Sequence, residues 1–461
     1  MADSDKAKLY KSLVANANEY QVLERMRVNG FWPWNQGLPA DPASETKERA
    51  QIEAELTKLR ATASAVTDPA KALAEERRRR WEASKKRRKE AKAKRAAALK
   101  QRRETYAAFR KSHVVHLGEG VSAGLQGTVS DGDALKAKHL PVLATSKDLA
   151  MMLGVTLPQL RWLTFHRRGA TLVHYRRYAI AKKTGGLRHI SAPMPRLAAA
   201  QRWVLNNILE KLSVAPPAHG FVKYRSLVTG AAPHTGKAVV LNLDLKDFFP
   251  SITWRRVKGL FVKLGYGEHV ATVLALLCTE PPRVATELDG RVYHVALGER
   301  VLPQGACTSP ALTNLLCRRL DARLAGLAKR FGYTYTRYAD DLTFSSASTA
   351  DLNKLQWSVR QVIASEGLAD NPSKTRVMRA SQRQEVTGVV VNTRPKVSRD
   401  TLRTLRAILH NCAKHGLASQ NRDGHADFAA HLRGRVEFAC MVDPERAPAL
   451  REALAAALAR G

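Results

Sequence analysis

The residues best equipped for chemistry are carboxylates. Tyr338-Ala339-Asp340-Asp341 lies between two β-like runs, Tyr333–Arg337 and Leu342–Ser345. That spacing predicts two adjacent carboxylates at a hairpin tip, where Asp is a tolerated turn residue. Neighbouring carboxylates repel and make a poor structural feature unless a cation sits between them; an ordinary polar turn is the alternative. About a hundred residues upstream, Asp244 ends the apolar run Ala238–Leu243. Three carboxylates drawn from two strands can hold two Mg²⁺ ions about 4 Å apart, one activating a 3′-hydroxyl and the other stabilising a departing pyrophosphate. Mg²⁺ suits such a site because it prefers oxygen ligands and shares them with substrate phosphates. Asp247, three residues past the strand end, reads as the start of the next segment.

The rest of the chain must position these groups and find their substrate. Its 461 residues carry 76 Lys plus Arg against 41 Asp plus Glu, a formal charge of +35. Such an excess opposes a compact state unless a polyanion neutralises it, so nucleic acid is the leading partner and an anionic membrane surface the second. The apolar share of 44% is enough to bury a core, and the length predicts about two to four domains. No run approaches the roughly 18 apolar residues of a membrane span. The polar N-terminus shows no secretory signal. Five cysteines without a C-x-x-C argue against disulfides or structural zinc. The pairs His113/His116 and His410/His415 lack thiolate or carboxylate partners in sequence and make poor metal sites. A reducing cytoplasm fits best.

Residues 1–140 read as a basic helical extension. Leu9–Met26 is helical in pattern, and Ser44–Tyr106 is dominated by Ala, Glu, Lys and Arg. Residues 71–103 hold sixteen Lys or Arg and four Glu; four acids cannot balance sixteen bases, which favours a phosphate-contacting surface over a merely solvated one. The Gly-, Ser- and Asp-rich stretch 118–140 reads as a linker. Beyond it come short helices at 146–153 and 157–166, then a hairpin through Val173–Ile190 with a basic tip at Lys182-Lys183-Thr184-Gly185-Gly186. A helix is expected over 197–212. Ser309 and Pro310 fit the N-cap and first turn of a helix running to about Arg330. Three helical segments follow residue 396.

Asp244 with Phe249 five residues on, Leu302-Pro303-Gln304-Gly305, and Tyr338-Ala339-Asp340-Asp341 together resemble the reverse transcriptase family in order and spacing. Val386-Thr387-Gly388 resembles the bacterial retron branch. Retron enzymes also carry an N-A-x-x-H element, for which this chain has Gly230-Ala231-Ala232-Pro233-His234, with Gly in place of Asn. The basic extension and His113-Val114-Val115-His116-Leu117-Gly118 look like the myxobacterial members. The likeness covers roughly residues 105–440.

The resemblance implies an α+β right-hand polymerase: N-terminal fingers at 141–237, a palm with interleaved fingers at 238–395 and a helical thumb at 396–461, behind the extension and linker at 1–140. It implies Asp244, Asp340 and Asp341 as catalytic residues and ligands of two Mg²⁺ ions. Lys182, Arg188, Phe249, Gln304, Gly305 and Lys374 would bind the incoming nucleotide, Phe249 excluding a 2′-hydroxyl. Tyr338, His234, Val386, Thr387 and Gly388 would position primer and template. The activity implied is RNA-directed DNA synthesis on a structured non-coding RNA, primed from an internal guanosine 2′-hydroxyl and giving branched RNA–DNA (msDNA), in antiphage defence with a separate effector. The 66 residues after position 395 are too few for a nuclease domain, so a host ribonuclease is expected to remove the template. A group II intron or diversity-generating reverse transcriptase, and a catalytically idle RNA-binding scaffold, are the rival readings.

Overall fold

The computed structural model describes residues 8, 19–36, 43–65, 69–181 and 185–459. The chain divides into two units, Met1–Glu104 and Thr105–Gly461.

The first unit is helical, with Glu19–Val28, Ala43–Ala65 and most of a 44-residue helix, Pro69–Ser112. That helix starts on a proline, favoured in a first turn, and contains no glycine or further proline to end it. At 1.5 Å per residue it is about 66 Å long. Glu76–Arg80 and Arg78–Glu82 pair across one turn at 3.0 and 3.3 Å.

In the second unit, segment 118–140 is not a linker. Val121, Leu125, Leu135 and Leu140 are buried in one cluster with the helices Trp254–Leu264 and Glu268–Cys278. Its glycines serve turns and close contacts: a Cβ on Gly118, at φ +109°, would lie 2.1 Å from the His166 carbonyl oxygen. Sparse apolar residues at irregular spacing do the packing, which composition conceals.

The strands are β1 (Gly169–Ala170), β2 (Tyr175–Ala181), β3 (Leu187–Pro193), β4 (Val239–Asp244), β5 (Arg283–Leu288) and β6 (Arg291–Ala296). They continue as β7 (Thr334–Tyr338), β8 (Asp341–Ser346), β9 (Arg376–Arg379), β10 (Glu385–Val386) and β11 (Val389–Val390). β2 and β3 form the expected hairpin, and β1, β6 and β5 a three-stranded sheet. The central sheet runs β7-β8-β4-β9, all antiparallel.

Alternation in that sheet separates core from cleft. Val239, Leu241 and Leu243 of β4, with Leu342 and Phe344 of β8, pack under the helices Arg318–Arg330 and Leu352–Ser365. The intervening residues, ending in Asp244, face the other way. The helix expected from Ser309 to Arg330 is two helices, Thr308–Leu316 and Arg318–Arg330, broken at Cys317. Cys307, not Ser309, is the N-cap, because the Ser309 hydroxyl donates to the Pro303 carbonyl at 2.8 Å. Three C-terminal helices, Arg399–His415, Phe428–Val442 and Ala447–Leu458, close around Leu409, Leu432 and Leu450. Among the described residues no helix is long and apolar enough to cross a membrane.

Candidate active site

The sheet register brings the predicted carboxylates together. Tyr338 pairs with Asp341 across β7 and β8, and Asp341 pairs with Asp244 across β8 and β4. Directly opposed residues share a face with Cβ atoms about 5 Å apart, so Tyr338, Asp341 and Asp244 form a row across three strands. Asp340 occupies the two-residue loop between β7 and β8, and its carbonyl accepts from the Leu245 amide at 2.9 Å.

This loop is strained and held from several sides. Ala339 sits at φ +57°, a region that costs a non-glycine residue about 1 kcal/mol or more. The Arg337 guanidinium donates to the Ala339 carbonyl at 3.2 Å, to both oxygens of Asp321 at 2.8 and 2.7 Å, and to Asn314 at 2.9 Å. Arg337 and Asp321 are wholly buried. From the opposite side Gly220 presses on the loop, and a Cβ there would lie 2.6 Å from the Ala339 nitrogen. Sequence reasoning missed this bracket, since Arg337 reads as one more strand residue.

The carboxylates carry the electrostatic cost of this crowding. Burial, then the charges of Asp340 and Asp244, pushes Asp341 up to about 7. Burial and the Asp244 charge also raise Asp340, while Lys374 and Arg188 oppose the rise. Asp244 is 8% exposed, and both its oxygens accept from Lys374 Nζ, at 2.9 and 3.0 Å. Lys374 comes from the short turn Pro372–Lys374, and the Asn371 amide is tied to the Asp244 carbonyl at 2.8 Å.

The donor set is all carboxylate oxygen, buried at Asp244 and half-buried at Asp340 and Asp341, and mutually repelling, which fits hard divalent cations. Among the described residues no three potential ligands are already gathered around one point. The Lys374 ammonium stands as Asp244's counter-ion instead.

The other predicted residues divide. Phe249 is half-buried beside Phe248 and Phe221, with ring centroids 5.8 and 6.5 Å away, and Phe221 in turn lies 6.4 Å from Tyr338. Phe221 escaped sequence reasoning because nothing marked its loop. Arg188, on β3, is near enough for Asp340 to feel its charge. Gln304 accepts from the Ser191 amide of β3 through its carbonyl at 2.7 Å. Lys182 lies outside the described residues.

The reverse transcriptase (RNA-dependent DNA polymerase) family matches residues 180–391, which contain this whole constellation. The retron Mx162 reverse transcriptase of Myxococcus xanthus is 44% identical over 368 residues, 75% of each chain. The Mx65 retron enzyme of the same organism is 48% identical over 326 residues, 71% of this chain and 75% of that one. The Ec86 retron enzyme of Escherichia coli is 35% identical over 314 residues, 67% of this chain and 88% of that one. This chain belongs to the retron reverse transcriptases. It is an RNA-directed DNA polymerase with the mixed helix-and-sheet right-hand fold of that family.

Within this retron enzyme, three expectations take a different physical form. His234 has no exposed surface. It is fully buried and hydrogen-bonded to Ser345 at 2.6 Å and Thr336 at 2.7 Å, so it braces β8 against β7. Burial pushes its pKa down to about 3, keeping it neutral. Gly305, at φ +116°, is required by a protein neighbour: a Cβ would lie 2.9 Å from both Ile190 Cγ2 and the Ser191 carbonyl oxygen. Of the Val-Thr-Gly element, Val386 is core, packed with Val240, Val389 and Val391. Thr387 and Gly388, at φ +47° and +87°, form the tight turn between β10 and β11.

Proposed function

We propose that this retron reverse transcriptase copies part of a structured non-coding RNA (msr-msd type), priming from an internal guanosine 2′-hydroxyl to leave branched RNA–DNA (msDNA). The observation that carries the site assignment is the register Tyr338–Asp341–Asp244, which sets the two carboxylates of Asp341 and Asp244 on one face with that of Asp340 at the adjoining turn. Asp244, Asp340 and Asp341 would hold two Mg²⁺ ions through their carboxylate oxygens. Bound there, the ions would supply activation of the attacking hydroxyl and stabilisation of the leaving pyrophosphate.

The chain's own residues do the rest. Arg188, exposed on β3 yet felt by Asp340, grips the triphosphate, its guanidinium matching phosphate geometry; Lys182 assists it. Phe249 lies under the sugar and leaves no space for a 2′-hydroxyl. Gln304 and Gly305 line the nascent pair, held to β3 by the Ser191 bond. Lys374 has a reach that extends from Asp244 toward the phosphates. Tyr338 and the Thr387–Gly388 turn touch the primer strand, with Val386 and His234 positioning from beneath.

Residues 141–237 serve as fingers, 238–395 as palm and 396–461 as thumb. The basic helix Pro69–Ser112 adds phosphate contacts to the RNA. The enzyme works in the cytoplasm, a host ribonuclease removes the template, and the product serves antiphage defence with a separate effector.

Primer extension on the cognate RNA with dNTPs and Mg²⁺ tests the assignment. Wild type should incorporate nucleotides and Asp340→Asn should lose at least about a thousandfold in rate, with unchanged RNA binding. A wild-type protein that binds the RNA but incorporates nothing leaves it an RNA-binding scaffold.

A further inference from the structure

We propose a second nucleotide site in this enzyme, a pocket that takes one nucleoside 5′-phosphate unit, with guanidiniums on the phosphate and the Trp162 and Phe165 rings against the base. The pocket has a volume of about 240 Å³ and lies between the helix Leu157–Thr164, the first residue of β2 and the end of the helix Glu268–Cys278. That is below the usual range for drug-sized ligands, about 300 Å³ and upward, and suits a single small unit.

Its charge is unbalanced. Four guanidiniums line it, those of Arg161, Arg167, Arg283 and Arg300, against one carboxylate, Glu280. Glu280 is already engaged by Arg177 at 2.6 Å and by Arg283 at 3.2 Å. Arg300, only 5% exposed, has no ion-pair partner among the described residues and donates to the carbonyls of Leu276 and Thr279. Buried cations ordinarily sit opposite a carboxylate. Here carbonyl dipoles hold Arg300 in place, and Glu280, already shared by Arg177 and Arg283, acts on it only from beyond ion-pair distance, so the open cavity keeps an excess of positive charge. A phosphate supplies the missing charge, and guanidinium is the side chain best shaped to receive it.

The mouth supplies the second half of a nucleotide's recognition. Trp162 is 44% exposed, and its ring meets His174 edge-on at 4.3 Å. Two guanidiniums, of Arg161 and Arg167, lie 5.3 and 5.2 Å from the Phe165 ring. Flat rings flanked by guanidiniums are the surfaces on which unpaired bases stack. A free anion would use the floor alone; the combination of buried cations with a half-open aromatic rim selects a phosphate that carries a base.

None of Asp244, Asp340, Asp341, Lys374 or Arg188 lines the pocket. Tyr175 lines it at the start of β2, whereas Arg188 pairs with Ile180, five residues further along that hairpin. Five residues of strand span about 17 Å. The unit bound can be part of a single strand or a free nucleotide, since both present the same phosphate and base.

Photocrosslinking of the full-length protein tests this, using a 5′-phosphorylated five-nucleotide RNA that contains 5-iodouridine. The crosslink should map to peptides spanning residues 157–175. It should persist in Asp340→Asn, which separates this site from the polymerase assignment. Trp162→Ala and Arg167→Gln, both at the exposed rim, should each weaken the crosslink roughly tenfold or more. Both should leave extension of a preannealed primer–template unchanged. Competition by AMP at equal concentration identifies a free nucleotide as the occupant; resistance to AMP identifies a strand. No crosslink in that segment, rim variants that crosslink like wild type, or displacement by inorganic phosphate at that same concentration would overturn the proposal.

Discussion

Lys374 closes onto Asp244 through both carboxylate oxygens, across 130 residues of chain. The ammonium stands where a metal ion would draw on the same oxygens, so it competes with that ion for Asp244. Lys374→Gln should therefore lower the divalent concentration needed for half-maximal extension by a few-fold. It should lower kcat as well, because the cation proposed to face the triphosphate is gone. A metal titration of extension rate separates the two effects, and an unchanged metal requirement would contradict the competition.

Acidity at Asp341 sets a pH dependence of known sign. Its value in the folded protein, about 7, lies above its ordinary 3.8. The group therefore favours folding fully below about pH 4, and that contribution disappears as pH rises through 7. In chelator at pH 8, Asp341→Asn should be more stable than wild type by on the order of 2 kcal/mol, after discounting for partial solvent screening. The gap should vanish near pH 4. Urea unfolding at the two pH values measures it, and saturating Mg²⁺ should reverse the order at pH 8.

The pair formed by Arg337 and Asp321 is wholly buried, so removing one partner strands a charge. Arg337→Leu should cost about 3–5 kcal/mol in denaturant unfolding. Replacing both residues by leucine should recover much of that stability. Extension should stay slow in the double variant, because the donor to the Ala339 carbonyl is still missing.

Phe249 governs sugar choice if its ring lies beneath the incoming nucleotide. Phe249→Ala should reduce discrimination between dGTP and GTP by about ten- to a hundredfold. Single-nucleotide incorporation, read as the ratio of kcat/KM values, provides the measure. Equal discrimination in variant and wild type would return Phe249 to a packing role beside Phe248.

The helix Pro69–Ser112 should show itself through salt. Replacing Arg77, Arg78, Arg79 and Arg80 with Gln should flatten the plot of log affinity against log salt by up to about 0.9 per lost phosphate contact. Filter binding of the cognate RNA across a salt series tests this. An unchanged slope would leave the helix a solvated one.

Much of the site could be read from local patterns. Asp244, Asp340 and Asp341 stand out because each follows or interrupts a short β-like run, and such runs are set by neighbours in sequence. The pairing of Lys374 with Asp244 could not be read that way, since only the folded register brings the two together. Arg337 hid inside a strand for the same reason: its partner Asp321 lies on a preceding helix. Segment 118–140 misled through composition, its few leucines and valines outnumbered by Gly, Ser and Asp. His234 reads by motif as positioning primer and template, and nothing local in sequence shows that two hydroxyls enclose both its ring nitrogens.

The loop joining β7 to β8 is two residues long, and its length is as constrained as its chemistry. Strands count in twos, so one inserted or deleted residue would turn Asp341 inward against Phe344's neighbours and swing Leu342 out into the cleft. Libraries that vary side chains around this hairpin can keep an active enzyme; libraries that permit indels there should yield none.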